Sequence, residues 1–221
     1  MRLFHKHSRT VIAIIVIAGG AVFLYFVPIT QSLFSLKLKP SPTATPDYSS
    51  WRNYTNKKFG LALKYPAEFL LKPGQTGPLA EWALYGLTAG NEIASIEIPR
   101  SVQTRTNFVG ASLRIGISTE ATAVKECLNQ PSSSGYSDTF TKRIIGGVPF
   151  GKFTRSNSAV GNNYQYTSYR AVRNSGCEVF EYVINHRDIQ NYPPESGIKE
   201  FNQTMVVNSL ESILDTVQFI K

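Results

Sequence analysis

Residues Cys177 to His186 read CEVFEYVINH. Phe180, Tyr182 and Ile184 alternate with Val179 and Val183, so a strand here carries apolar groups on both faces. Strands exposed to water on one side alternate apolar and polar residues, whereas strands covered on both sides do not. This segment is therefore expected at the centre of a sheet with a layer on each side. Helices are expected to supply the cover.

The neighbouring sequence repeats the strand signal. Tyr164 to Val172 precedes the segment, and Asn174-Ser175-Gly176 lies between the two as a hairpin turn. Phe140 to Ile145 and Val148 to Phe153 flank Gly146-Gly147, a second hairpin. Trp82 to Leu87 and Ile93 to Ile98 flank a turn with Gly90-Asn91, a third. Ala111, Leu113, Ile115 and Ile117 alternate with small or polar residues, as do Phe59, Leu61, Leu63 and Tyr65 before Pro66. Three hairpins imply a largely antiparallel sheet. Thr119 to Leu128 is expected as a helix, capped by Ser118 or Thr119, with Pro131 beyond it. Gln203 to Leu214 is the better helix, with Val206, Leu210, Ile213 and Leu214 at helical spacing. A short strand, Thr216 to Ile220, closes the chain. The expected class is α+β, an antiparallel sheet with helices on both faces.

Two end motifs carry a resemblance. YTNKKFGLALKYP, residues 54–66, resembles the opening of PsbP-like domains, and SLESILDTVQFI, residues 209–220, resembles their ending. The resemblance implies an α/β/α sandwich. The founding members of that family are accessory proteins of photosystem II, and relatives include bacterial surface proteins. This chain differs from them in what precedes the domain, so no photosynthetic role and no ion site is carried over.

Val11 to Val27 reads VIAIIVIAGGAVFLYFV, 17 residues without a charge. As a helix it would measure ~25 Å at ~1.5 Å per residue, and with Pro28 and Ile29 it approaches the ~30 Å of a bilayer core. Arg2, Lys6 and Arg9 precede it and are expected to stay in the cytoplasm. The expected organisation is a basic tail at 1–10, a transmembrane helix at 11–29, a linker at 30–50 and an extracytoplasmic domain at 51–221. A cleaved signal peptide is the competing reading. Leu36 to Ser50 reads LKLKPSPTATPDYSS, an extended Pro-rich spacer.

The chain has 221 residues and a net charge of +8, but from Tyr48 onward 18 basic residues face 14 acidic ones. That surplus is too small and too scattered to favour nucleic acid as a partner. His186 is the sole histidine outside the tail, and there is no G-x-S-x-G elbow or P-loop. No catalytic residue, cofactor or metal ligand is assigned, and an enzyme is not expected. Tyr164, Tyr166, Tyr169, Arg170 and Arg173 fall on one strand and form the candidate binding surface, since tyrosine and arginine suit interfaces. Ordinary strand packing explains the same residues. Asn53-Tyr54-Thr55 and Asn202-Gln203-Thr204 match glycosylation sequons.

Cys127 and Cys177 are the two cysteines of the chain. One falls near a helix end and the other opens the central strand, both in the part placed outside. A disulfide between them is expected, the other reading being two buried thiols. Two function classes follow. The first is a membrane-tethered, extracytoplasmic binding or assembly module, with the bilayer and an envelope protein as partners. The second is an envelope hydrolase working through acidic residues.

Overall fold

The computed structural model of the chain describes residues 14–18, 21–25, 47–74, 90–129 and 141–220. It divides into two units, Met1–Pro46 and Asp47–Lys221. In the first, Ile14–Ala18 (β1) pairs antiparallel with Ala21–Tyr25 (β2). These ten residues are strands, where the sequence reading expects part of a helix. Their Val, Ile and aromatic content suits a strand, and two glycines interrupt the run. The remainder of 11–29, the basic tail and residues 30–46 lie outside the described residues. Among the described residues no helix is long and apolar enough to cross a membrane.

The second unit holds Arg52–Asn56 (β3), Leu61–Tyr65 (β4), Leu70–Pro73 (β5), Asn91–Ile98 (β6), Phe108–Ser118 (β7) and Ala121–Lys125 (α1). Thr141–Ile145 (β8), Val148–Ala159 (β9), Asn162–Arg173 (β10), Gly176–Arg187 (β11), Gln203–Asp215 (α2) and Gln218–Phe219 (β12) follow. Seven strands form one antiparallel sheet in the order β5-β6-β7-β11-β10-β9-β8, and β12-β4-β3 form a second. The doubly apolar segment is β11, in the middle of the large sheet as its pattern requires.

Two expected hairpins are present. Gly146-Gly147 joins β8 to β9 and Asn174-Ser175 joins β10 to β11, all four with positive φ, the mirror-image turn that matches strand twist. The third differs. Residues 82–87 lie outside the described residues, and β6 pairs with β5 and β7. A hairpin not expected from sequence joins β9 to β10 through Val160-Gly161.

Alternation along the strands gives the large sheet two unlike faces. One carries Ile96, Leu113, Ile115, Phe150, Tyr169, Phe180, Tyr182 and Ile184, all buried. Against it pack Val206, Leu210, Ile213 and Leu214 of α2, and Leu61, Leu63 and Tyr65 of β4. Each such buried aliphatic side chain contributes about 1.5–3 kcal/mol. Asn202 caps α2, its Oδ1 accepting from the Met205 N–H at 2.9 Å.

The opposite face carries Arg114, Ser168, Arg170 and Glu181 at its centre. Its described helix is α1, five residues long, which sets Ala123 in the core. The disulfide Cys127–Cys177 ties the segment just after α1 to β11, with Cα atoms 5.6 Å apart. Helices on both faces is therefore correct only in part. Among the described residues, a full helix and a small sheet cover the apolar face, and one short helix lies on the other. That second face is mixed: Arg114, Ser168, Arg170 and Glu181 lie among the apolar Phe153, Val179 and Val183.

Candidate functional site

The five residues singled out from sequence do not share one surface. Tyr169 and Arg173 belong to the apolar, helix-covered face, and Tyr164, Tyr166 and Arg170 to the polar one, because they alternate on β10. Three are buried: Tyr169 is 1% exposed, Arg170 0% and Tyr166 8%. Arg170 lies over the Phe153 ring, 4.5 Å from its centroid, and its Nε donates to Ser168 Oγ at 3.1 Å. Arg173 donates to Glu178 Oε2 at 2.8 Å and covers the Phe219 ring. Arg173 borders a small pocket of about 10 Å³, and Tyr164 lines an open groove.

That groove has a volume of about 350 Å³ and crosses the polar face near one end of the sheet. Two rows of residues build it. Tyr164, Asn185 and Gly110 are neighbours across β10, β11 and β7. Tyr166, Val183, Ser112 and Glu97 form the next row and extend it to β6. Gly110 lowers the floor, having no side chain. A Cβ built there would meet only the Ile98 carbonyl oxygen, at 3.6 Å. A β-bulge between β7 and β11 makes Val109 the extra residue and leaves it exposed at the rim.

The wall is held from behind. The Arg155 guanidinium sits 4.1 Å from the Tyr166 ring centroid, and Tyr166 stacks on Tyr164 at 6.4 Å and 26°. Such cation–π and ring contacts are worth about 0.5–2 kcal/mol each. Among the described residues, Asn185 Oδ1 is buried without a hydrogen-bond partner, an omission that costs roughly 1–3 kcal/mol unless a ligand or water fills it. Glu97 Oε1 pairs with Lys72 Nζ at 2.6 Å, so the one charged lining group is neutralised. A second opening of about 460 Å³, lined by Tyr54, Asn56, Lys58 and Glu92, ends at Gly74 and Asn91, on either side of the undescribed 75–89, and is not taken as a site.

Several carboxylates elsewhere in the domain are held in ion pairs. Glu211 on α2 accepts from the Tyr169 and Tyr182 hydroxyls at 2.6 and 2.8 Å and pairs with Arg143. Arg143 also binds Asp215 at 2.7 Å. Glu92 accepts from Arg114 at 3.2 Å, and Arg114 lies 4.0 Å from Glu181. Burial raises the carboxyl of Glu178, against the opposing pull of Arg173. Burial likewise raises the phenols of Tyr169 and Tyr182. His186 packs on Phe201 at 4.9 Å, a structural contact. Among the described residues no three His, Cys, Asp or Glu side chains converge as a metal-binding group.

No protein-family model matches the chain, and no curated protein does. Solved structures similar to it include a protein from Bacteroides thetaiotaomicron VPI-5482, at 12% identity over 78% of this chain, with a TM-score of 0.44. The chain spans 49% of that protein's length. They also include cyanobacterial PsbP (CyanoP) from Synechocystis sp. PCC 6803, at 9% identity over 81% of this chain and 99% of that one, with a TM-score of 0.38. LpqN, involved in cell envelope biogenesis of Mycobacterium tuberculosis, is similar at 14% identity over 73% of this chain and 83% of that one, with a TM-score of 0.32.

Tyr164 was legible as a candidate from sequence. Glu97, Gly110, Ser112 and Asn185 were not, because nothing in a linear chain marks which polar strand residues register pairing brings side by side. The period-2 pattern of β7 from Val109 onward, apolar on odd positions and small or polar on even ones, was the available signal.

Proposed function

We propose that this chain is a membrane-tethered, extracytoplasmic binding or assembly module without catalysis, and that the groove on the polar sheet face receives its ligand. The observation that carries the outside placement is the Cys127–Cys177 disulfide. Disulfides persist in oxidising compartments and are reduced in most cytosols. The uncharged run after Arg2, Lys6 and Arg9 supports the same orientation. In lipid the run is proposed to span as a helix. A lone strand pair leaves its outer N–H and C=O groups unpaired in hydrocarbon, whereas a helix satisfies them internally. The bilayer is then one partner, and an envelope component facing the groove is the other.

Binding is favoured over acid-dependent hydrolysis by the state of the carboxylates. Glu92, Glu178 and Glu211 each contact an arginine. A carboxylate held in an arginine pair is committed to the fold, and none of these three lines the groove on the polar face. The topology is tested by placing one thiol at a time, Ser8→Cys or Ser50→Cys, in intact cells. The native cysteines are blocked by their own bond. A membrane-impermeant maleimide is expected to label position 50 and not position 8. The reverse pattern refutes the orientation, and a mature chain beginning near residue 33 supports a cleaved signal instead.

A further inference from the structure

Resting on the reading of the groove as the ligand site, the geometry points to a neutral pyranose saccharide as the class of ligand it takes. Three features of the lining select this chemistry. The first is charge. Glu97 is the one ionisable acid in the lining and Lys72 already neutralises it, so neither an anion nor a cation gains a free counter-charge there.

The second feature is the kind of polar group available. Asn185 presents an amide whose buried Oδ1 has no partner among the described residues. Ser112 and Tyr164 add hydroxyls for which no hydrogen bond is found among the described residues. Amide and hydroxyl groups donate and accept at once, as sugar hydroxyls do. The backbone of β6, β7, β11 and β10 is already committed to the sheet ladder beneath. An extended peptide therefore has no free strand edge to pair with in this groove, and recognition must run through side chains.

The third feature is the apolar complement. The Tyr164 ring, Val109 and Val183 line the same groove. A pyranose ring has an apolar C–H face and a hydroxyl rim, and an aromatic platform beside amide and hydroxyl groups matches both. The volume of about 350 Å³ lies at the small end of the roughly 300–1,000 Å³ typical of small-molecule sites, so one or two sugar units fit the groove and a longer glycan runs out of it.

The test uses the full chain in lipid nanodiscs, titrated by calorimetry with cellotetraose, maltotetraose and chitotetraose. Tetra-alanine is titrated alongside. At least one saccharide is expected to bind in the millimolar range or tighter. Tyr164→Ala and Gly110→Val are each expected to weaken it by about tenfold or more, with Tyr164→Phe keeping most of the affinity because the ring remains. Gly110→Val fills the floor with a residue that suits a strand, and its melting curve, compared with wild type, checks the fold. If Gly110→Val unfolds the protein, Ser112→Ala and Tyr164→Phe/Ala carry the comparison. Absence of binding by all three saccharides, or binding unmoved by these variants, overturns the proposal. Binding of tetra-alanine alone, abolished by Gly110→Val, overturns the ligand class while leaving the groove as the ligand site. The thiol-labelling result reports separately on the outside placement.

Discussion

Glu211 shows how one polar residue decides the docking of a helix. Its Oε1 accepts from two tyrosine hydroxyls on adjacent central strands, and its other oxygen pairs with Arg143 on β8. Glu211→Ala leaves both buried phenols without that acceptor, a cost of about 2–5 kcal/mol in urea unfolding. Glu211→Gln keeps an acceptor oxygen and is expected to cost less. The same tyrosines set an alkaline limit. Burial raises both phenols. For an acid raised in the folded state, the associated stability is complete below its ordinary value, about 10 for tyrosine. It is lost as pH rises through the raised one. Stability is therefore expected to fall in strong alkali, with tyrosinate absorbance from Tyr169 and Tyr182 emerging together with unfolding. Val160 is the opposite case, a residue that its position does not want. It is fully exposed, at φ +49, in the two-residue turn between β9 and β10. A β-branched side chain is strained there. Val160→Asn is expected to raise stability by roughly 1 kcal/mol in the same assay.

At the scale of elements, α1 depends on its tether. Five residues are too few to hold a helix in water by propensity, and no side chain caps its start. The disulfide beyond it closes a loop with a sequence separation of 50. In the chain-entropy model that is worth about 4 kcal/mol, a large part of a typical 5–15 kcal/mol margin. The double variant Cys127→Ser, Cys177→Ser is expected to lose most of it at the urea midpoint, and amides of residues 121–127 should lose hydrogen-exchange protection before those of β11. An unchanged midpoint would show that packing of Ala123 alone holds the segment. The cap of α2 also bears on modification. Asn202 uses its side chain to receive the Met205 N–H, so a glycan at that sequon would remove the cap, whereas Asn53 on β3 is exposed and carries no such duty.

At the scale of the molecule, the folded unit is closed by its two ends. β12 pairs with β4, Phe219 stacks on Phe150 at 6.3 Å, and the Ile220 N–H donates to the Gly60 carbonyl at 2.9 Å. Gly60 has φ +61, and a Cβ there would lie 2.6 Å from the Ile220 carbonyl oxygen, so glycine is required at this closure. A fragment of residues 47–221 contains every described element of the second unit and is expected to unfold in one cooperative urea transition. A fragment ending at residue 215 loses β12 and exposes the Phe150 side of the core. It is expected to be markedly less stable, or not to fold. Equal stability of the two would show that the end strand is an ornament to the core.

What the sequence determined by itself was whatever local periodicity and turn chemistry encode. The doubly apolar run of β11 announced a central strand. Gly146-Gly147 and Asn174-Ser175-Gly176 announced two hairpins, and the spacing of Val206, Leu210, Ile213 and Leu214 announced α2. Two cysteines left one possible intramolecular pairing. Tertiary structure decided the rest, because it depends on which strands become neighbours. Val160-Gly161 lacks the usual first turn residue, so the β9–β10 hairpin had no local sign. The pairing of β7 with β11, from Ser118 beside Cys177 to Phe108 beside His186, joins segments far apart in sequence. Register split the Tyr and Arg cluster of β10 between two faces and buried most of it. The same register set Tyr164 beside Asn185 and Gly110, and Val183 beside Ser112 and Glu97, residues from four strands whose proximity exists only once the sheet has formed.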